Sequence, residues 1–441
     1  MKIIATCFYF IIFSFSVFAQ MPDQVLATSN GQKFTGKDLP AEIAEAYTNL
    51  SKTVADTRKT LLEQQIVETL FETEAKTKNL TFAQLVGQIK AKVPAPSEKD
   101  IQAVYDGNRE AIGDKNLSEV RPQIVAFLRQ DPEQKALLDF LAALKTKYKV
   151  TPGKDINALN LRPTDVLATV GTKAISLQDF ETKNKIELYE TKAKVFDAVK
   201  FALNELIYNA LVAAEAKSLN IETNDLIARE ITDKMRDYTK DEQQQLETNL
   251  RRKLSSKYKT QILLKEPVPI VQNISTENAP FTGSANAPVT VVMFSDFECS
   301  HCAATHPILK KVLTEYIGKV RFVLRDYPLV TIHENAFQAA VAANAARAQG
   351  KFFEYVEILY LNQEALDLAS LKKYAIELGL NPQQFELDLQ STKNAEAVRK
   401  DMADGKNYGI SGTPTVFVNG IKVRIMTAEG FRDAIDKALK K

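Results

Sequence analysis

Tryptophan is absent, and cysteine and histidine occur only three times each in 441 residues. That leaves few side chains able to do redox or metal chemistry, and far too few cysteines for a fold stapled by disulfides. Charge of one sign is also lacking, since 57 Lys and Arg stand against 55 Asp and Glu, for a formal charge of +2. A chain that neutralises phosphates along nucleic acid carries a marked basic excess, so no nucleic acid partner is expected. The 45% hydrophobic and 25% charged content is ordinary for globular protein. It argues against disorder, collagen-like repeats and a multi-span membrane protein, and the length suits two to four domains.

What is present begins with an apolar run from Ile3 to Ala19, preceded by Lys2 and ending Val17-Phe18-Ala19 before Gln20. This is the pattern of a secretory signal peptide over residues 1–19. The alternative is an uncleaved membrane anchor, for which the run is at the short end of what crosses a ~30 Å hydrocarbon core. Export to a periplasm or its equivalent is the expectation. Cys7 leaves with such a peptide, so Cys299 and Cys302 are the cysteines of the mature chain, in a disulfide-permissive compartment.

At a constant offset of 141, Val25-Leu26-Ala27-Thr28 matches Val166-Leu167-Ala168-Thr169, and Glu74-Ala75-Lys76 matches Glu215-Ala216-Lys217. Leu62, Ile66 and Leu70 likewise fall on Leu203, Ile207 and Leu211. Register kept over that distance indicates a duplicated unit. Each copy opens with a short extended stretch and a turn, then a long helix with an apolar face, as in Phe196, Val199, Leu203, Leu206 and Ala210. The expected division is a first helical copy over 20–150, a polar linker over 151–165 from Thr151-Pro152-Gly153, and a second copy over 166–265. The second copy ends in a charged helix, Glu222 to Lys259, read as solvated surface. A Pro-rich linker spans 266–288. From 289 to 441 the pattern becomes α/β. Val289–Phe294, Lys319–Leu324 and Thr415–Val418 are apolar, β-branched strands, and a helical stretch from Glu334 to Lys406 separates the second from the third. Asn419-Gly420 predicts a tight hairpin turn, and Thr427 predicts the cap of a terminal helix.

The first strand runs into Asp296-Phe297-Glu298-Cys299-Ser300-His301-Cys302 and a helix. Cys299 then stands at a helix N-terminus, where unpaired N–H groups and the positive end of the macrodipole favour a thiolate, the form that attacks disulfides. Cys302, one turn on, is spaced to resolve a mixed disulfide formed at Cys299. A protonated His301 would favour the thiolate further. Alternatives stay open. Cys299, Cys302 and His306 could be three ligands of a zinc site, with His333 or a carboxylate as the fourth; otherwise His306 and His333 read as structural. A purely structural disulfide closing so small a loop would remove little chain entropy.

With Gly412-Thr413-Pro414-Thr415 before the third strand, the arrangement from about residue 287 onward resembles the DsbA-like family of thioredoxin-fold thiol:disulfide oxidoreductases. The resemblance implies a cis Pro414 beside the cysteine pair, Thr413 as its specificity-tuning neighbour, and His301 as the residue found in strongly oxidising members. Two departures are Ser300, where many relatives carry proline, and Thr413, which also occurs in disulfide isomerases. The helical copies resemble the N-terminal region of SurA-type periplasmic chaperones, with the parvulin domain missing and no histidine before His301.

The whole is therefore read as a multidomain chain, mainly α-helical over its N-terminal two thirds and then an α/β thioredoxin fold with a helical insertion. Its catalytic residues are Cys299, Cys302, His301, Thr413 and Pro414. Beyond the redox-active disulfide no cofactor and no metal is expected. Partners implied are unfolded or cysteine-containing exported proteins and a membrane redox partner that recharges the pair, with the helical arms offering a homodimer contact. A disulfide oxidase leads; an isomerase or reductase, or a chaperone whose thioredoxin domain only docks partners, are the competing readings. Asp296 and Glu298 are candidates for the base that assists Cys302.

Overall fold

Two β-hairpins at the predicted offset start the two copies. β1 (Val25–Ser29) and β2 (Gln32–Thr35) turn at Asn30-Gly31, both at positive φ; after β3 (Thr151–Pro152), β4 (Val166–Val170) and β5 (Lys173–Ser176) turn at Gly171. The structure is a computed structural model that describes residues 22–440 and separates into two compact units after Pro267. The expected signal peptide, with Cys7, lies outside the described residues.

In the first unit the copies do not fold as separate beads over 20–150 and 166–265. β1 pairs with β6 (Gln261–Ile262), which lies after the helices of the second copy, and β4 pairs with β3, which lies after those of the first. Leu26, Phe34 and Tyr47 of the first copy pack on Val199, Leu203, Leu211 and Leu254 of the second. Ala168, Val170 and Ile175 of the second pack on Leu70, Phe71, Leu85 and Leu144 of the first. Helix length is the reason. The Leu177–Leu219 helix has 43 residues, about 65 Å, so the hairpin that precedes it is far from the core at its other end. An isolated hairpin is marginal, and a third strand with an apolar helical floor completes it.

Three further readings are corrected by this packing. Residues 151–165 are no free linker: they contain β3, and Ile156 is buried against Leu61, Phe180 and Leu188, with its carbonyl held by Arg58. The stretch Glu222–Lys259 is broken into helices Thr223–Glu230 and Lys240–Lys257, and Leu226, Leu250 and Leu254 are core residues rather than solvated surface. Residues 268–288 belong to the second unit, where β7 (Phe281–Gly283) forms the sheet edge.

The second unit holds a five-stranded sheet in the order β11 (Ile421–Lys422), β10 (Thr415–Val418), β8 (Val289–Ser295), β9 (Val320–Asp326), β7. β8 and β9 are parallel, joined through the Ser300–Leu313 helix, and in register from Val289 opposite Val320 to Ser295 opposite Asp326. Buried on both faces, β8 needs the continuous apolar run its sequence shows. Five helices between Ala336 and Asn407 form the insertion, and β10 then returns antiparallel to β8. The turn to β11 uses Asn419 and Gly420, both at positive φ, and a Cβ on Gly420 would fall 2.0 Å from the Gln272 carbonyl oxygen. Thr427 caps the terminal helix Ala428–Leu439 through the Gly430 N–H.

Candidate active site

β8 ends at Ser295, and the turn Asp296-Phe297-Glu298 delivers Cys299 as the N-cap of the Ser300–Leu313 helix. Cys299 is 6% exposed and Cys302 is sealed at 0%; both are free thiols. His301, between them, is exposed on the first helical turn. The pairing of β10 with β8 sets Thr415 opposite Phe294, so the loop entering β10 meets the turn leaving β8. There the Thr413–Pro414 peptide is cis, and the Cys299 thiol donates to the Thr413 carbonyl at 3.4 Å. The structure thus brings Cys299, Cys302, Thr413 and Pro414 together.

The two sulfurs differ in acidity. The Cys302 thiol, which points its hydrogen bond at Cys299, holds Cys299 down to about 5 against the opposing effect of burial; Thr413 and the N–H groups of Cys302 and His301 add to it. Burial pushes Cys302 far the other way, reinforced by Cys299, so it stays a thiol. The Thr413 hydroxyl is buried without a partner, and it is among the groups that favour the Cys299 thiolate.

The turn itself is clamped. Asp296, whose side chain is wholly buried, accepts from the N–H groups of Glu298 (2.8 Å) and Leu329 (2.7 Å) and from His333 Nδ1 (2.8 Å). Glu298 accepts from the Asn335 backbone and side-chain nitrogens at 2.8 and 3.0 Å. Gln363 Nε2 donates to the carbonyls of Phe297 (2.7 Å) and Cys299 (3.0 Å). Both carboxylates nominated as bases for Cys302 are thus engaged in holding the 329–335 loop. Beneath the pair, Ser295 Oγ and Tyr360 Oη lie 2.6 Å apart, and the buried Asp326 accepts from Asn344 at 2.8 Å. Burial, then the Asp401 charge, push Asp326 up to about 8. His306 is buried on the same helix as the cysteines, its Nε2 2.9 Å from Glu357 and its ring packed at a tilt of 34° against Tyr360. Sequence reading named His333 only as a possible zinc ligand or a structural residue and passed over Gln363, Tyr360 and Asp326; none of the four has a local spacing that ties it to Cys299.

Residues 275–437 match the thioredoxin family, and this part of the chain is a thioredoxin-like domain. Solved structures similar to the chain include a thioredoxin-like oxidoreductase from Silicibacter pomeroyi, 28% identical, covering 37% of this chain and 94% of that one with a TM-score of 0.35. BdbD from Bacillus subtilis is 24% identical, covering 40% and 100% with a TM-score of 0.36. Among curated proteins, a Na(+)/H(+) antiporter NhaA 3 of Salinispora tropica is 40% identical over 138 residues, 31% of this chain and 21% of that protein. A Na(+)/H(+) antiporter NhaA 1 of a Mycobacterium species is 34% identical over 159 residues, 35% of this chain and 26% of that one. The chain spans about a fifth to a quarter of the length of these relatives.

Proposed function

We propose that this chain is an exported thiol:disulfide oxidoreductase that forms disulfide bonds in client proteins through Cys299 and Cys302. The observation that carries the reading is the asymmetry of the pair, an acidic sulfur at a helix start above a sealed, high-pKa thiol. In the oxidised protein a client thiolate attacks Cys299 Sγ. The Cys299–Cys302 bond breaks, its electron pair leaves on Cys302, which takes up a proton, and a client–Cys299 disulfide forms. A second client thiolate attacks the client sulfur of that bond, the client disulfide forms, and Cys299 leaves as a thiolate. Counted from the client dithiol, which gives up two protons in forming its thiolates, two electrons have passed to the protein, one proton rests on Cys302 and one is released to solvent. Because the weaker base leaves more readily, a depressed Cys299 drives exchange toward oxidised client. Thr413 and Pro414 line the place where the client backbone passes, and a membrane redox partner able to accept two electrons recharges the pair.

In this reading the first unit, whose helical copies resemble SurA-type chaperones in sequence pattern alone, holds unfolded clients; exposed Phe127, Leu138 and Phe201 are apolar contacts of the required kind. Residues 1–19 direct export. The antiporter activity named for the relatives is not carried over, since they are matched over only a fifth to a quarter of their length. Among the described residues no helix is long and apolar enough to cross a membrane.

The test is client turnover. Cys299→Ser abolishes oxidation of a reduced client, and Cys302→Ser accumulates mixed disulfides; a Cys299→Ser protein that oxidises at the wild-type rate overturns the reading. The potential of the pair gives the direction: about −120 mV marks an oxidase, and about −270 mV a reductase or isomerase side.

A further inference from the structure

Two histidines belong to the segments around Cys299, and they are held differently. His301 sits exposed on the helix. His333 arrives from the loop after β9, its Nδ1 2.8 Å from the wholly buried Asp296 carboxylate and its own side chain 23% exposed. That loop is fastened to the turn before Cys299 at three further points: Leu329 N–H on Asp296, and the two Asn335 nitrogens on Glu298. A carboxylate removed from water costs several kcal/mol unless it is compensated. Two backbone N–H groups compensate Asp296 in part, and His333 Nδ1 makes the third contact to its carboxylate. Three acidic groups on the segment between β8 and the helix, Asp296, Cys299 and Glu298, act on His333 in the direction that favours its charge. Burial works against the His333 charge, but the hydrogen bond and charge of Asp296, with those of Cys299 and Glu298, outweigh it and hold its pKa above the ordinary value. Coupling between two sites is reciprocal, so what the thiolate does for the imidazolium the imidazolium does for the thiolate.

We propose that the His333 imidazolium, fixed by Asp296, is the positive charge that stabilises the Cys299 thiolate at neutral pH, ahead of the exposed His301. Asp296 is then a positioning residue. A charge held in a partly dry site by a buried partner is screened little, whereas an imidazole in water spends its field on solvent and salt. The inference rests on the thiol-exchange reading above, but it concerns where the charge comes from and not whether the pair turns over.

The experiment follows thiolate formation against pH, by ultraviolet absorbance and alkylation rate, in reduced wild-type, His333→Gln and His301→Gln proteins. His333→Gln raises the Cys299 midpoint by about one pH unit, a roughly tenfold loss of thiolate at pH values below both midpoints, and by more than His301→Gln does. An unchanged midpoint, or a larger displacement in His301→Gln, overturns the proposal. A second measurement needs no change at His333: the ring's own titration, followed by NMR, moves to lower pH when Cys299→Ser removes the thiolate. A His333 midpoint that ignores that substitution also overturns it. Client oxidation that persists alongside a Cys299 midpoint indifferent to His333 sinks this inference alone, while loss of the thiol-exchange reading shows instead in the Cys299→Ser turnover.

Discussion

The sulfur of Cys299 lies 3.4 Å from the carbonyl oxygen of Thr413, a residue 114 positions along the chain. Strand pairing makes the contact, because Thr415 stands opposite Phe294 at the ends of β10 and β8. A carbonyl oxygen accepts from a thiol but repels a thiolate. The thiolate must therefore draw on other donors, and the Thr413 hydroxyl and the first N–H groups of the helix are within its reach.

The reduced protein gains stability as pH rises. Cys299 is held to about 5 in the folded chain, against about 8.5 in an unfolded one. A depressed acid contributes stability that is complete above the unfolded pKa and lost as pH falls through the folded value. Urea unfolding under reducing conditions is expected to give a wild-type minus Cys299→Ser difference that grows from pH 5 to pH 8. A flat difference would mean that the Cys299 thiol is not depressed in the folded chain.

Asp326 has the opposite sign. Its carboxyl is raised to about 8, so its favourable contribution is complete below the unfolded carboxylate pKa and is lost as pH rises through 8. Asp326→Asn keeps an oxygen for the Asn344 amide and removes the titration. The variant is expected to match wild type at about pH 4, near the unfolded carboxylate pKa, and to be more stable at pH 8 by a few kcal/mol. If stability falls at both pH values, the buried carboxylate is instead paired and ionised.

Much of the second unit could be read locally. β8 shows its burial on both faces as an unbroken apolar run, Cys299 and Cys302 declare themselves by spacing, and Asn419-Gly420 and Thr427 by the chemistry of turns and caps. His333 and Gln363 carry no such mark, because their relation to Cys299 exists only once β9 and the insertion have packed. Burial also hid something: Glu222–Lys259 looks solvated by composition, yet Leu226, Leu250 and Leu254 are spaced to form a floor. The offset of 141 reveals that two copies exist. Which hairpin rests on which helices depends on helix length, and that had to be seen.

The exchange of hairpins predicts a crossed response. Glu74 accepts from Lys147 and Tyr148, while Glu215 accepts from Lys257 and Tyr258. The Tyr148 carbonyl holds the N–H of Gly171 in the second hairpin, and the Tyr258 carbonyl that of Asn30 in the first. Glu215→Gln is therefore expected to speed hydrogen exchange in residues 25–35, and Glu74→Gln in residues 166–176, each at a cost of about 1–3 kcal/mol locally. Exchange that quickens instead in the hairpin of the same copy would contradict the arrangement.

His306 tests the zinc alternative directly. Its Nδ1 is buried without a partner, and its ring packs 4.8 Å from Tyr360 and 6.4 Å from Phe322. Phenylalanine at this position keeps the ring contacts, removes the orphaned nitrogen and gives up the bond to Glu357, which retains Lys310 at 2.8 Å. The lost bond and the relieved orphan are of similar size, so His306→Phe should change stability by less than about 1 kcal/mol. Alkylation of Cys299 should be as fast as in wild type. A metal ligand would behave otherwise: its loss would free a bound ion, lower the unfolding midpoint well beyond that margin and change thiol reactivity. Chemical denaturation with a thiol count on the same variant separates the two, and a large drop in both would return His306 to the chemistry.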